Sequence, residues 1–288
     1  MANKKILVTG SNGQLGSEIR VLEKAFPQFE FRFTDYQELS IIDEVAVTQY
    51  FEEFKPDYCI NCAAYTAVDK AEDPAERGLV NDLNANAVGY LAKACNAHQT
   101  KFVHISTDYV FEGNGDRPYT VDDPTHPVSV YGITKLEGER QAIENTDVII
   151  IRTAWVYSSF GKNFVKTMMS LMQTKPSLNV VSDQFGTPTY AADLAAAILQ
   201  IIASQRWISG IYHYTNEGQI NWYDFAVAIK SIIKSNCEVH PIPTSDYPTP
   251  AQRPAWSVLD KSKIKEVYNV DIPDWEKSLE LCINKLKG

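Results

Sequence analysis

The chain lacks the features that mark membrane, secreted and nucleic-acid-binding proteins. No stretch approaches the roughly 20 consecutive apolar residues that span a bilayer. The run Ile6-Leu7-Val8 behind Lys4-Lys5 is too brief for the core of a signal peptide. Basic residues are outnumbered, 27 Lys and Arg against 36 Asp and Glu, for a formal net charge of −9. Nucleic-acid binders normally show a basic balance, so neither nucleic acid nor membrane is an expected partner. The five cysteines (Cys59, Cys62, Cys95, Cys237, Cys282) are odd in number and scattered. They argue against a disulfide framework and for reduced thiols in a cytoplasmic setting. Cys59 and Cys62 form a C-x-x-C, but Asp57–Ala63 reads as a strand, where positions three apart face opposite ways. Buried thiols are expected there, not a zinc or redox pair. The five histidines show no metal-ligand spacing. Internal repeats and low-complexity tracts are missing too.

What is present suits a large core. With 288 residues, 44% hydrophobic and 22% charged, the chain fits one sizeable domain plus a smaller one. Lys4–Thr9 is a short apolar run and reads as a strand buried on both faces. Gly10-Ser11-Asn12-Gly13-Gln14-Leu15-Gly16 follows, and Leu15, Ile19, Leu22 and Phe26 then fall three or four apart, which predicts a helix over 14–26. Strand, glycine turn and helix form the context of a dinucleotide-binding loop. Gly10 permits the tight turn, Gly13 lets backbone approach a pyrophosphate, and Gly16 lets the helix pack close to the strand. Phe29–Thr34 is the next strand and ends at Asp35, at about the 20-residue distance of the acid that binds an adenosine ribose. That carboxylate favours NAD over NADP, although Ser11, Asn12, Tyr36 and Gln37 leave room for NADP.

The alternation continues. A helix over 44–54 is capped by Asp43, Tyr58–Cys62 is a strand, 74–99 is helical with Asn84 inside it, and 102–105 and 148–152 are strands. This rhythm predicts an α/β fold with a parallel sheet and helices on both faces. Its strands end in Ala63-Ala64-Tyr65, in Ser106-Thr107-Asp108-Tyr109 and in Thr153-Ala154-Trp155, so the polar clusters share one edge. In the helix of Tyr131-Gly132-Ile133-Thr134-Lys135, Tyr131 and Lys135 stand one turn apart on one face. A lysine ammonium there lowers a tyrosine pKa and suits the pair to proton transfer at a carbonyl or alcohol oxygen. Beyond Tyr157 helices are expected over 162–172, 192–203, 221–234 and 273–287, strands over 178–181 and 210–214, and a long loop over 241–254. That loop holds Arg253, a candidate phosphate clamp.

Taken together, GSNGQLG at 10–16, CAAYTAVDKAE at 62–72, STDYVF at 106–111, YGITKLEG at 131–138, RTAWVY at 152–157, DQFGTPT at 183–189 and YPTPAQRP at 247–254 resemble the extended short-chain dehydrogenase/reductases. Within them the resemblance is to the dTDP-4-dehydrorhamnose reductase family, over nearly the whole chain. It implies a Rossmann-type doubly wound domain over 1–157, rejoined by 190–215, with a smaller C-terminal substrate domain built from segments of 158–288. It implies NADPH or NADH on Gly10, Ser11, Asn12, Gly13, Gln14, Leu15, Gly16, Asp35, Ser40, Ile41, Ala63, Ala64, Tyr65, Tyr131 and Lys135. Thr107, Tyr131 and Lys135 would be catalytic. Thr107, Asp108, Tyr109, Trp155 and Arg253 would hold a dTDP-sugar whose C4 ketone is reduced. Ser40 stands where many extended relatives carry an Asp. The chain is expected as a monomer or homodimer. Some family members resemble magnesium-linked dimers; Glu18 matches one acidic position and Ala192 replaces another, so the resemblance leaves Mg2+ as a possible cofactor with no metal ligand assigned. The same superfamily includes nucleotide-sugar epimerases and dehydratases, and the family resembles the regulatory subunit of methionine adenosyltransferase. Both are alternative readings.

Overall fold

The structure, a computed structural model, describes residues 3–287. Met1, Ala2 and Gly288, the outer ends of the expected domains, lie outside the described residues. The elements run β1 (Lys4–Thr9), α1 (Gln14–Leu22), β2 (Phe29–Thr34), α2 (Glu44–Phe54), β3 (Tyr58–Asn61), α3 (Arg77–Asn81), α4 (Ala87–Ala97), β4 (Lys101–Thr107), α5 (Val130–Asn145) and β5 (Val148–Thr153). They continue β6 (Val156–Tyr157), α6 (Phe164–Thr174), β7 (Ser177–Val181), β8 (Phe185–Gly186), β9 (Thr189–Tyr190), α7 (Ala191–Ala203), β10 (Gly210–His213) and β11 (Ile220–Asn221). α8 (Trp222–Ile233), β12 (Glu238–Ile242), α9 (Ser262–Tyr268) and α10 (Trp275–Lys287) complete the chain.

Six parallel strands form the main sheet in the order β10-β5-β4-β3-β1-β2. The period of two along each strand sorts its side chains to two cores. Ile6, Val8, Ile60, Val103, Ile149 and Ile151 join α1, α7 and α9 on one face. Leu7, Cys59, Phe102, Val148 and Ile150 join α2, α4 and α5 on the other. Cys59 thus faces one core while Cys62 packs against the opposite one, and all five cysteines are free thiols. A third core, with Val165, Met168, Phe225, Ile229, Leu279 and Ile283, binds α6, α8 and α10 to the short strands. Among the described residues no helix is long and apolar enough to cross a membrane.

Several boundaries depart from expectation. The helix over 14–26 stops at Leu22 and tightens into a 3₁₀ turn over Glu23–Ala25, since Pro27 restricts the residue before it. The helical stretch over 74–99 is broken by a π-helical turn at Asp82–Asn86. Residues 241–254 do not begin as a loop, because β12 pairs in parallel with β7 through Pro241. Each strand of a two-stranded ribbon keeps a free edge, where a missing N–H is tolerated. Sequence periodicity also misses α9, whose seven residues make too short a pattern.

Candidate active site

β1 sits between β3 and β2, so the strand order reverses beside it, and ligands of open α/β sheets bind in the crevice at such a point. The glycine turn lies there. Gly10 has φ +63°, and a Cβ on it would come within 2.5 Å of the Ala63 nitrogen. A Cβ on Gly16 would come within 2.5 Å of the Ser11 Cα, so α1 packs against its own turn. The first amides of α1 have no side-chain cap at Gly13, which leaves donors for an anion. Asp35 closes the far side: its Oδ2 accepts from the Asn12 amide at 2.9 Å and its Oδ1 from the Tyr36 amide at 2.8 Å. The turn and its acid therefore fit the pyrophosphate and ribose of a dinucleotide. Ser11 is buried and its hydroxyl accepts from Arg20 at 3.0 Å. Gln14 ties the turn to the later segments through Val156 O (3.4 Å) and Asn163 (2.9 Å). Leu15 and Ile41 put their side chains into the apolar cores, leaving Ser40 the more accessible of the expected adenosine neighbours.

A buried polar ladder runs beneath this crevice. The Thr9 hydroxyl donates to Asn61 Oδ1 at 2.7 Å, Asn61 Nδ2 lies 3.2 Å from His104 Nδ1, and His104 Nε2 lies 3.4 Å from Lys135 Nζ. Burial and the Lys135 charge hold His104 well below the usual histidine range, so the ring is neutral. Sequence reading gave His104 and Asn61 no part in the site. Their sign was a polar residue repeated at neighbouring strand ends, paired in register as Asn61 opposite His104.

The helix of Tyr131 and Lys135 starts where expected. The Ser129 hydroxyl caps it by accepting from the Gly132 amide at 3.1 Å, as a Ser at that position should. Lys135 is 2% exposed and donates a hydrogen bond to Ile105 O at 2.6 Å; burial depresses its ammonium to about 8. The lowering of Tyr131 by Lys135 expected from their spacing is not what the side chains do. Lys135 is committed to the β4 backbone, and burial pushes the Tyr131 phenol well up, countered by the Thr107 hydroxyl within its reach. Thr107 is buried, donates to Asp108 Oδ1 at 2.9 Å and accepts from the Tyr109 amide at 3.2 Å. Asp108 is 3% exposed with Oδ2 unpartnered. Burial raises its carboxyl to about 6, with Thr107 and Ser257 acting the other way.

The structure brings Thr107, Asp108, Tyr109 and Tyr131 together. Tyr109 meets Tyr131 edge-on, centroids 5.5 Å apart, and its hydroxyl accepts from Arg253 Nη1 at 3.1 Å. Trp155 carries φ +49°, a strained conformation for a bulky residue. Its ring is stacked on Trp222 at 3.6 Å and 14°, and Gly186 lies close to its six-membered ring, where a Cβ would come within 2.8 Å. Trp155 is therefore held by its stack on Trp222 and stays partly exposed. Tyr65 has its backbone clasped by Asn84, N to Oδ1 at 2.8 Å and Nδ2 to O at 3.2 Å, from inside the π turn. Asn84 also reaches Thr134 at 3.3 Å, between Tyr131 and Lys135. The acid raised for a metal does not fit one: Glu18 is buried, and accepts from Ser158 at 2.6 Å and Lys285 at 2.9 Å. Among the described residues no group of three His, Cys, Asp or Glu is placed to hold a metal ion.

A doubly wound sheet with a glycine turn at its switch point and a Tyr/Lys helix at its strand ends defines an α/β protein of the extended short-chain dehydrogenase/reductase type. The RmlD substrate binding domain family matches residues 4–287, and the chain belongs to that family. A dTDP-4-dehydrorhamnose reductase from Aggregatibacter actinomycetemcomitans is 40% identical over 287 residues, covering 96% of this chain and 97% of its own. The crystal structure of a dTDP-4-dehydrorhamnose reductase from Clostridium acetobutylicum superposes with a TM-score of 0.94 at 43% identity, covering 99% of this chain and 100% of the other. That of a Bacillus anthracis reductase in complex with NADP gives 0.94 at 34% identity, covering 98% and 99%.

Proposed function

We propose that the chain is an oxidoreductase that reduces the C4 ketone of dTDP-4-dehydro-6-deoxy-L-mannose to dTDP-L-rhamnose with NADPH or NADH. The observation that carries this is a family match along the whole chain together with Thr107 and Tyr131 meeting over the strand ends. Residues 10–16, Asp35, Ser40 and 63–65 hold the cofactor, which supplies a hydride to the ketone carbon. Tyr131 gives its proton to the ketone oxygen as negative charge grows there. The Thr107 hydroxyl hydrogen-bonds the same oxygen, a contact typically worth about 3 kcal/mol in the transition state. Lys135, held by Ile105 O one turn after Tyr131, has its ammonium depressed to about 8 by burial. Asp108, Tyr109 and Trp155 line the sugar, and Arg253 takes its phosphates. Residues 1–157 with 190–215 form the cofactor unit and segments of 158–288 the substrate unit. The product serves cell-surface polysaccharide synthesis in the cytoplasm, where free thiols persist.

The test is NADPH and NADH oxidation by a dTDP-4-dehydro sugar. Wild type should turn over, and Tyr131→Phe should lose about 10²-fold or more in kcat. A Tyr131→Phe variant with near-wild-type turnover removes Tyr131 from this role; a wild type without turnover removes the function.

A further inference from the structure

The stretch TAVDKAE at 66–72 carries an acid, Asp69, to which the reaction above gives no task. Its carboxylate bridges two loops beside the cleft. Asp69 Oδ2 accepts from Arg253 Nη2 at 2.5 Å, and Oδ1 accepts from the Ala251 amide at 3.3 Å. The other guanidinium nitrogen, Nη1, donates to the Tyr109 hydroxyl, whose ring lies against Tyr131. Arg253 is therefore held at both terminal nitrogens, by one residue after β3 and one after β4. A chain of contacts, Asp69 to Arg253 to Tyr109 to Tyr131, leads from the loop to the proton donor.

An arginine free in solvent loses rotamer freedom when it grips an anion, whereas one already fixed loses little. The pair stays accessible, with side-chain exposures of 41% for Asp69 and 28% for Arg253. A pair so exposed adds little to folding, so its effect belongs in binding. The Ala251 contact points the same way: Asp69 secures the backbone of the arginine's own loop as well as the guanidinium. Downstream, the Trp256 amide bonds to Gly113 O at 2.9 Å and the Ser257 amide to Phe185 O at 2.8 Å, which anchors the loop at its other end.

We propose that Asp69 is a positioning residue for the sugar nucleotide, aiming Arg253 at the anionic diphosphate. This rests on the nucleotide-sugar reading above.

The experiment is steady-state kinetics of the full chain with a dTDP-4-dehydro sugar at saturating NADPH. It compares wild type, Asp69→Asn, Asp69→Glu, Arg253→Ala and the Asp69→Asn/Arg253→Ala double variant. Asp69→Asn should raise the KM of the sugar about ten- to a hundredfold, the span of one charge-assisted hydrogen bond. Its kcat should stay within about threefold of wild type, since uniform binding is what is lost. Thermal midpoints should match, Asp69→Glu should recover most of the KM, and Asp69→Asn should add little to Arg253→Ala. Should Asp69→Asn fail to fold, Asp69→Ser, which removes the carboxylate and leaves Arg253 intact, carries the same KM expectation. An unchanged KM, a lowered KM (Asp69 then competing for Arg253) or an equal KM rise on the Arg253→Ala background overturns the role. A working wild type with such variants overturns the positioning alone; a wild type without turnover overturns the reading beneath it, and the proposal with it.

Discussion

Asp108 offers a direct measurement of what the site demands of the fold. Its carboxyl is raised from the ordinary 3.8 to about 6, chiefly by burial, and its Oδ2 has no partner. The folded chain thus holds this proton more tightly than the unfolded chain does. Stability from this group is fully present below about pH 4, falls as pH rises through the folded value near 6, and is level above it. Keeping the carboxylate ionised inside the fold at pH 8 costs about 3 kcal/mol relative to the unfolded chain. Asp108→Asn keeps the shape and an oxygen to accept from Thr107 but cannot ionise. It should be more stable than wild type by about 3 kcal/mol at pH 8, by about half as much at pH 5, and by nothing near pH 3. Urea unfolding followed by tryptophan fluorescence at these pH values reads the difference. A gain of equal size at every pH refutes the electrostatic cause, and no gain at pH 8 refutes the burial penalty itself.

Gly16→Ala sets a Cβ against the Ser11 backbone, which no side-chain motion relieves; it should cost about 1–3 kcal/mol and abolish cofactor binding measured by fluorescence titration. Arg152 and Glu139 form a buried bidentate pair at 2.9 and 2.7 Å, with Ser106 also donating to Glu139. Arg152→Met alone should lose about 3–5 kcal/mol in urea unfolding, while the Arg152→Met/Glu139→Leu double variant should recover most of it. The Asp35 carboxylate, pinned by two amides, opposes a 2′-phosphate by about 1–4 kcal/mol. Asp35→Ala should therefore raise the ratio of NADPH to NADH kcat/KM about tenfold or more, with the change shrinking in high salt.

The sheet was legible because each buried strand is a short β-rich run bounded by a turn, and β2 and α2 appear with their expected ends. Asp43 caps α2 through the Val45 and Ala46 amides, a local signal that needs no tertiary knowledge. The two-residue strands β6, β8, β9 and β11 were not legible, because pairs such as β6 with β9 exist only once distant segments meet. The site divides the same way. Tyr131 and Lys135 announce themselves by helical spacing, and Gly10, Gly13 and Gly16 by their place between strand and helix. Asp69, His104 and Asn61 carry no such local mark; they become partners only when β3, β4 and the loop before Trp256 lie side by side. The direction of the Tyr131 shift was misjudged for a related reason. Sequence spacing gives the distance between two side chains on one helix, but neither the burial that raises the phenol nor the backbone contact that claims the lysine.

The raised Tyr131 phenol bears on how the proposed proton transfer runs. A tyrosine acts as acid in ketone reduction and as base in the reverse oxidation, whatever its pKa. Burial holds the Tyr131 phenol protonated across the working range, so the proton is already in place when the ketone arrives. A phenol with a raised pKa is a weak acid, but an alkoxide is a far stronger base than any phenolate, and transfer to it remains downhill. The difficulty lies earlier, when the ketone oxygen carries only part of its charge. Thr107 addresses that stage, yet its hydroxyl proton is held by Asp108 at 2.9 Å. For Thr107 to turn toward a ketone oxygen, that hydrogen bond must give way. The acid group whose ionisation costs stability at high pH is thus the hydrogen-bond partner of the hydroxyl that the proposed reaction uses, which ties the stability of this strand end to its proposed use.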